Sequence, residues 1–338
     1  MIYYNQRGDI LSSIKDVARV AGISVTTVSR VINNRGYISE KTRKKVEDAM
    51  RELDYEPNQI AIALSKKQSY IIGVIVPDSS HPFFSELLKY IELYVKDKNY
   101  KILFVNSLDD KDTEMHCISM LKQNRVDGII MCSHTLDIDT YKKLKLPVVS
   151  FDRIISDSIP YVASDNFNGG LQATEHLIKL GCKSLLHIAG PSQIECLSNR
   201  RGDGFKIACI NNNIDYKIME CDEDVLTFDY YMNFVEEKVA PIIDTLDGVF
   251  CSNDILAYAL YVYCTRNNIS VPDDLKIIGY DNTMFTRMLQ TPRLSTVNQP
   301  VESIGRTLTK SIISLIEDPE CEVTNITLDV KLIKGETT

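Results

Sequence analysis

No apolar run in this sequence approaches the roughly 18 residues that a membrane-spanning helix requires, so no membrane association is expected. The opening residues MIYYNQRGDILSS lack the apolar core of a secretory leader, which leads us to expect a cytoplasmic location. There is no CxxC pair, and none of the nine cysteines precedes Cys117. An odd, dispersed set reaching Cys321 argues against a disulfide framework and a zinc site, and predicts reduced, mostly buried thiols. Common enzyme motifs are missing too: no GxSxG elbow, no GxxxxGK[ST] loop and no GxGxxG after a strand. The five histidines, His81, His116, His134, His176 and His187, show no ligand or general-base spacing; His176 reads as a structural contact and His187 lies in an apolar strand. An enzyme is therefore not expected, nor is a cofactor or a bound metal.

What is present is a chain of 338 residues, 44% hydrophobic and 25% charged, the composition of a globular protein with two or three domains. Its net charge of −8 is unevenly spread. Residues 1–70 hold 12 Lys+Arg against 8 Asp+Glu, whereas the remaining 268 hold 26 against 38. A basic head on an acidic body points to a polyanion contact confined to the head. Taken alone, the charge also fits an ordinary solvated surface.

In the head, Ile14, Val17, Ala18 and Ala21 fall at i, i+3, i+4 and i+7, one face of a helix. Gly22 follows where a helix end needs positive φ. Ser24 is placed to cap a second helix from Val25 to about Asn33, with Val28, Val31 and Ile32 inward and Thr26, Ser29, Arg30 and Asn33 outward. A third helix starts near Ser39 and buries Val46, Ala49, Met50 and Leu53 while exposing Lys41, Arg43, Lys44 and Lys45. Helix, glycine turn, helix is the pattern whose second helix enters the major groove of DNA. Arginine can bond guanine through two N–H groups, threonine can pack on a thymine methyl, and serine and asparagine can hold phosphates. A three-helix bundle with a plain polar face satisfies the same pattern.

From Tyr70 onward, short apolar runs such as Ile71–Val76, Gly128–Met131, Val148–Phe151 and Gly248–Cys251 alternate with amphipathic helices. That rhythm predicts parallel sheets, with length enough for two lobes. Polar residues stand where strands end: Asp78 and Ser79, Asn106 and Ser107, Ser133 and His134, Asp152 and Arg153, Asn253 and Asp254, Asp281 and Asn282. Open α/β sheets bind ligands off the carboxyl ends of their strands, so these are candidate lining. Any one of them can equally be a helix N-cap, Asp254 and Asn282 above all.

The run IKDVARVAGISVTTVSRVINNRGYISEKTRKKVEDAMRELDYEPNQIAIAL strongly resembles the head of the lactose-repressor (LacI/GalR) family of bacterial regulators. The likeness continues through VASDNFNGG (Val162–Gly170), RRGDGF (Arg200–Phe205), VFCSND (Val249–Asp254), IIGYDN (Ile277–Asn282) and TPRLSTVNQP (Thr291–Pro300), in family order. It implies an α/β fold class: an N-terminal all-α helix-turn-helix DNA-binding head and a periplasmic-binding-protein-like body of two doubly wound parallel-sheet lobes. The implied divisions are 13–57 for the head, 58–69 for a hinge helix and linker, 70–163 with 299–324 for the first lobe, and 164–298 with 325–338 for the second. Three crossovers are expected near Ala163, Asn298 and Asn325.

By the same resemblance Val25, Thr26 and Arg30 read bases, and Thr27, Ser29 and Asn33 contact phosphates. Asn58, Ala61 and Leu64 belong to a hinge that enters the minor groove, Leu64 as the wedge. Such a short helix is marginal alone in water and would fold on DNA against a second subunit. Arg201, Asn253 and Asp281 match effector-binding positions, and Phe83, Phe84 and Asp152 fall where lining residues usually stand. An aromatic face with arginine and carboxylates suits a sugar.

The stretches from Ser133 to Asn166 and NNRGYISEKT are most similar to sucrose-operon repressors of Gram-positive bacteria. That implies sucrose-utilisation genes as the target and a fructose-type sugar or sugar phosphate as effector. The partners expected are double-stranded operator DNA, the effector and a second copy of the chain. The ending KLIKGETT carries no leucine heptad, which predicts a dimer rather than a tetramer. A purine or a co-repressor protein in place of the sugar, or a sugar-binding protein without a DNA role, are the competing readings.

Overall fold

The computed structural model describes residues 12–57, 68–133, 135, 138–192, 196–221, 227–322 and 324–338. The expected hinge residues Asn58, Ala61 and Leu64 lie outside them, as does His134. The chain divides after Ser69 into two compact units.

The first unit packs α1 (Ile14–Ala21), α2 (Val25–Ile32) and α3 (Glu40–Glu52). Each begins at a serine whose hydroxyl accepts a first-turn N–H: Ser13, Ser24 and Ser39. Replacing such a cap by alanine costs about 1 kcal/mol. Gly22 ends α1 at φ 66°, a left-handed conformation that glycine adopts without a Cβ penalty. Val17, Val28 and Val46, one from each helix, are fully buried in the shared core.

The second unit holds two six-stranded sheets. Its elements are β1 (Ile71–Val76), α4 (Pro82–Lys96), β2 (Lys101–Asn106), α5 (Lys111–Gln123), β3 (Gly128–Met131), α6 (Ile138–Lys142), β4 (Val148–Phe151) and β5 (Tyr161–Ser164). They continue with α7 (Asn166–Lys179), β6 (Ser184–Ala189), α8 (Arg200–Asn211), β7 (Asp215–Glu220), α9 (Phe228–Phe234), β8 (Gly248–Cys251), α10 (Asp254–Arg266) and β9 (Lys276–Asp281). Last come α11 (Met284–Met288), β10 (Ser295–Asn298), α12 (Val301–Glu317), β11 (Ile326–Leu328) and β12 (Lys331–Ile333).

The first sheet runs β2-β1-β3-β4-β5-β11, all parallel. The second runs β7-β6-β8-β9-β10-β12, parallel except at β10–β12. Strands β3, β4 and β8 are buried along their whole length because helices cover both faces of a parallel sheet. Edge strand β7 is largely exposed, so DYKIME lacks the apolar run that marks its neighbours.

The chain passes between lobes three times. It leaves the first sheet after Ser164 and returns after Asn298, where α12 buries Val301, Ile304 and Leu308 against Leu87 and Ile91 of α4. The third crossing differs from the expectation near Asn325. Ile326–Leu328 pairs with Val162–Ser164 in the first sheet, so the passage falls between Leu328 and Lys331 and the first lobe extends past residue 324. NITLDVKLI alternates as one strand would, and only the choice of partner separates its halves. The helical stretch that opens at Phe228 is broken into α9, a π-helical turn (Val235–Val239) and a 3-10 stretch (Ala240–Thr245) that contains Pro241. Proline cannot supply the N–H that an α-helix would use there.

Helices α7 and α8 meet backbone to backbone. A Cβ on Gly170 would stand 2.0 Å from the Arg201 carbonyl oxygen, and one on Gly204 2.1 Å from that of Phe167. This approach fixes the first turn of α8, and with it Arg201. All nine cysteines are free, seven of them buried. Among the described residues no helix is long and apolar enough to cross a membrane.

Candidate functional site

On the head, α2 leaves Val25, Thr26 and Arg30 exposed. The other three outward candidates are engaged within the helix. The Thr27 hydroxyl lies 2.9 Å from that of Ser24, and Asn33 Nδ2 donates to the Ser29 carbonyl at 2.9 Å and to its hydroxyl at 3.3 Å. Thr27, Ser29 and Asn33 are half-buried as a result. Lys41, Lys44 and Lys45 stand exposed on α3, while Arg43 donates to Asn34 Oδ1 at 2.8 Å.

In the body, one cavity lies between the lobes at the carboxyl ends of both sheets. Phe83, Phe84, Asp152, Arg201, Asn253 and Asp281, dispersed over some 200 residues, all line it. Arg201 is held on three sides: Nε donates to Asn166 Oδ1 at 2.8 Å, Nη1 donates to the Ser252 carbonyl at 2.7 Å, and the guanidinium stands 3.7 Å from the Tyr280 ring centre. Asn166 Nδ2 donates in turn to Asp152 Oδ1 at 2.8 Å. The other Asp152 oxygen accepts the Ser198 N–H at 2.9 Å, and its backbone carbonyl accepts that of Leu197 at 2.7 Å. Asp152, at the end of a first-lobe strand, is thereby tied to the second lobe.

Asp281 accepts from Gln299 Nε2 at 2.7 Å, and Gln299 Oε1 accepts from the Ser164 hydroxyl at 2.7 Å, which stitches two crossovers together. Asn253 serves two ends: Oδ1 caps α10 at the Leu256 N–H, and Nδ2 donates to the Tyr231 hydroxyl at 2.8 Å. Asp152 and Asp281 have φ of 60° and 112°. Left-handed backbone at non-glycine residues costs on the order of 1–3 kcal/mol each and gathers at functional sites.

Burial governs the charges. It raises the Asp152 carboxyl above the usual carboxylate range, opposed by nearby Arg201. It also raises Asp254 to about 6 and Asp281 to about 8. Asp254 accepts from the Thr286 and Thr296 hydroxyls and the Asn282 N–H, bonds that favour its charged form. Burial thus favours the neutral form of Asp281, whereas hydrogen bonds favour the charged form of Asp254. Asp254 and Asn282 serve the frame and do not line the cavity, nor do Asp78, Ser79 and Asn106, which bond around one turn. Ser107 and Ser133 bond each other beside buried Glu114, and Arg153 stacks on Tyr141.

Among the lining residues that the sequence did not single out are two histidines. His81 caps α4, its Nδ1 accepting the Phe83 N–H at 3.3 Å, and its Nε2 is buried with no partner among the described residues. An unpaired buried donor costs about 1–3 kcal/mol. His187, in the middle of β6, has Nδ1 2.9 Å from the Phe250 carbonyl and its ring stacked on Phe250 at 4.7 Å. Burial lowers both imidazoles to about 4. His81 had a signal, its place ahead of a helix-opening proline just past a strand end; His187 had none. His176 bonds the Thr338 hydroxyl at 3.2 Å, away from the cavity.

A helix-turn-helix head carried on a two-lobed body with a polar cleft defines a class: regulators that join a DNA-reading module to a ligand-binding one. The chain belongs to the lacI family of bacterial regulatory proteins. Residues 13–58 match the family's own model, and residues 69–336 match that of periplasmic binding proteins and the sugar-binding domain of the LacI family. The chain is 40% identical to the sucrose operon repressor of Pediococcus pentosaceus over 325 residues, 96% of this chain and 98% of that one. Among solved structures it resembles a regulator from Alkaliphilus metalliredigens complexed with D-xylulofuranose (TM-score 0.73, 34% identity, 80% of this chain and 99% of that one). It also resembles the lac repressor dimer bound to operator and the anti-inducer ONPF (TM-score 0.83, 26% identity, 96% and 98%).

Proposed function

We propose that the protein is a cytoplasmic transcriptional repressor, not an enzyme, that binds a pseudo-palindromic operator as a homodimer and releases it when a small sugar enters the cleft. The observation that carries this reading is a single chain with two separate recognition surfaces: exposed Val25, Thr26 and Arg30 on α2, and a cavity where Arg201, Asp152, Asn253 and Asp281 converge from both lobes. In it, Val25, Thr26 and Arg30 contact base edges, while Thr27, Ser29 and Asn33 reach phosphates by giving up their bonds within the helix. Asn58, Ala61 and Leu64 carry the hinge role assigned by family resemblance. Two copies place their α2 helices in successive major grooves, one helical turn apart.

Sugar binding draws the lobes together around Asp152 and Arg201, and this rearrangement weakens the hold on DNA by a coupling of ~1–3 kcal/mol. Sucrose-utilisation genes are the target favoured by the likeness to the Pediococcus pentosaceus repressor. The test is footprinting of the full chain upstream of sucrose-utilisation genes, with and without sucrose, D-fructose and their phosphates. Protection of a two-fold symmetric site that one of these sugars relieves is expected. Protection that only a purine or a second protein modulates would replace the sugar reading.

A further inference from the structure

We infer that the cavity is built for an uncharged, unphosphorylated sugar, and that His81 and His187, one from each lobe and fixed in opposite tautomers, engage its oxygens as a donor and an acceptor. The inference rests on the sugar-regulated reading above and names the chemistry of its effector.

The tautomers follow from the backbone. His81 Nδ1 accepts the Phe83 N–H, so the ring proton sits on Nε2, the buried atom with no partner among the described residues. That atom is left to donate to a ligand oxygen. His187 is the reverse: a backbone carbonyl can only accept, so Nδ1 carries the proton toward Phe250 and Nε2 keeps its lone pair. The His187 ring packs against Phe250 and Phe205, with centroids at 4.7 and 5.3 Å, and its Nδ1 bond to Phe250 favours this orientation. Both residues line the cavity. Burial keeps both rings neutral, so neither attracts an anion.

The charged lining points the same way. Among the described residues Arg201 is its single arginine and no lysine lines it, while Asp109 and Asp152 are acidic and burial favours the neutral form of Asp281. Arg201 has already committed Nε and Nη1 to Asn166 and Ser252. A phosphate ester carries about −1.5 to −2 charge at pH 7 and needs several charge-assisted donors. This wall offers one arginine, partly committed, and three carboxyls. Hydroxyl groups, which donate and accept, match it.

The experiment is calorimetry of the full chain against D-fructose, D-ribose, D-xylulose and sucrose, each paired with its phosphate ester. At least one parent sugar is expected to bind, with its ester at least ~100-fold weaker. An ester that binds more tightly than its parent overturns the inference and leaves sugar regulation standing; no binding in either set overturns both. With the sugar that binds, His81→Phe and His187→Phe are each expected to weaken affinity by ~10-fold or more. His81→Asn can still cap α4 and offer an N–H, and stays within ~3-fold. Thermal melts establish that each variant is folded. Folded Phe variants with unchanged affinity overturn the histidine assignment; if His187→Phe does not fold, the His81 pair and the ester comparison decide.

Discussion

Glu86 of α4 and Arg287 of α11 join the two lobes: Arg287 Nη2 lies 2.6 Å from Glu86 Oε1, and Glu86 Oε2 accepts the Met284 N–H at 3.0 Å. The carboxylate is 8% exposed and the guanidinium 45%, so solvent reduces the attraction without removing it. The pair ties α4 of the first lobe to α11 of the second. Glu86→Gln and Arg287→Ala should each weaken sugar binding, and a double-mutant cycle should give a coupling of about 1 kcal/mol. Additive effects in the cycle would show that the pair does not help hold the lobes in their sugar-binding arrangement.

Arg201 should not tolerate lysine. A lysine ammonium can replace one of the bonds to Asn166 and Ser252 but not the flat stack on Tyr280. Arg201→Lys and Arg201→Ala are both expected to bind operator and to need at least ~10-fold more sugar for release. Induction curves measure this directly, and a wild-type curve for Arg201→Lys would mean the stacked fork is dispensable.

On the head, exposed Arg30 should carry base discrimination. Arg30→Ala is expected to lose about 1–3 kcal/mol of specific operator affinity, with non-specific binding changed far less. Lys44→Ala should weaken all DNA alike and flatten the salt dependence by about one unit. Titrations at several salt concentrations on operator and scrambled DNA separate the two behaviours.

Gly170 should be intolerant of a methyl group. Its Cβ would press on the Arg201 backbone at 2.0 Å, which neither helix can relieve by a rotamer change. Gly170→Ala is expected to destabilise the body by more than ~2 kcal/mol and to displace Arg201. Gly190→Ala, which meets nothing within 4 Å, should melt like wild type.

His187 should make the body acid-sensitive. Its folded value of about 4 lies below the ordinary 6.5, so folding favours the neutral ring. That contribution is full above pH 6.5 and is lost as pH falls toward 4. At pH 5 the wild type should have lost on the order of 2 kcal/mol that His187→Phe does not lose. Asp281 acts in the opposite sense: raised to about 8, it contributes stability below pH 3.8 that fades as pH rises toward 8. Denaturant titrations of both proteins at pH 5 and 7 isolate the histidine contribution by difference.

Much of this molecule is local, and the sequence determined it. Three serine caps, Gly22 and the spacing of Val17, Val28 and Val46 define the head within 40 residues, because helix faces and caps depend on near neighbours. Alternating strands and helices likewise specified two parallel-sheet lobes, and strand ends marked Asp152, Asn253 and Asp281 as lining. Tertiary structure decided what depends on a distant partner. Ile326–Leu328 joined the first lobe by pairing with β5, a choice that its alternation does not encode. His187, in the middle of an apolar strand, became a cavity residue because the Phe250 carbonyl and two aromatic rings fix it there. Glu86 met Arg287 across 201 positions of sequence. A sequence reveals the periodicity that folding exploits, whereas the proton on a buried imidazole or aspartate is set by atoms that only the closed fold brings within reach.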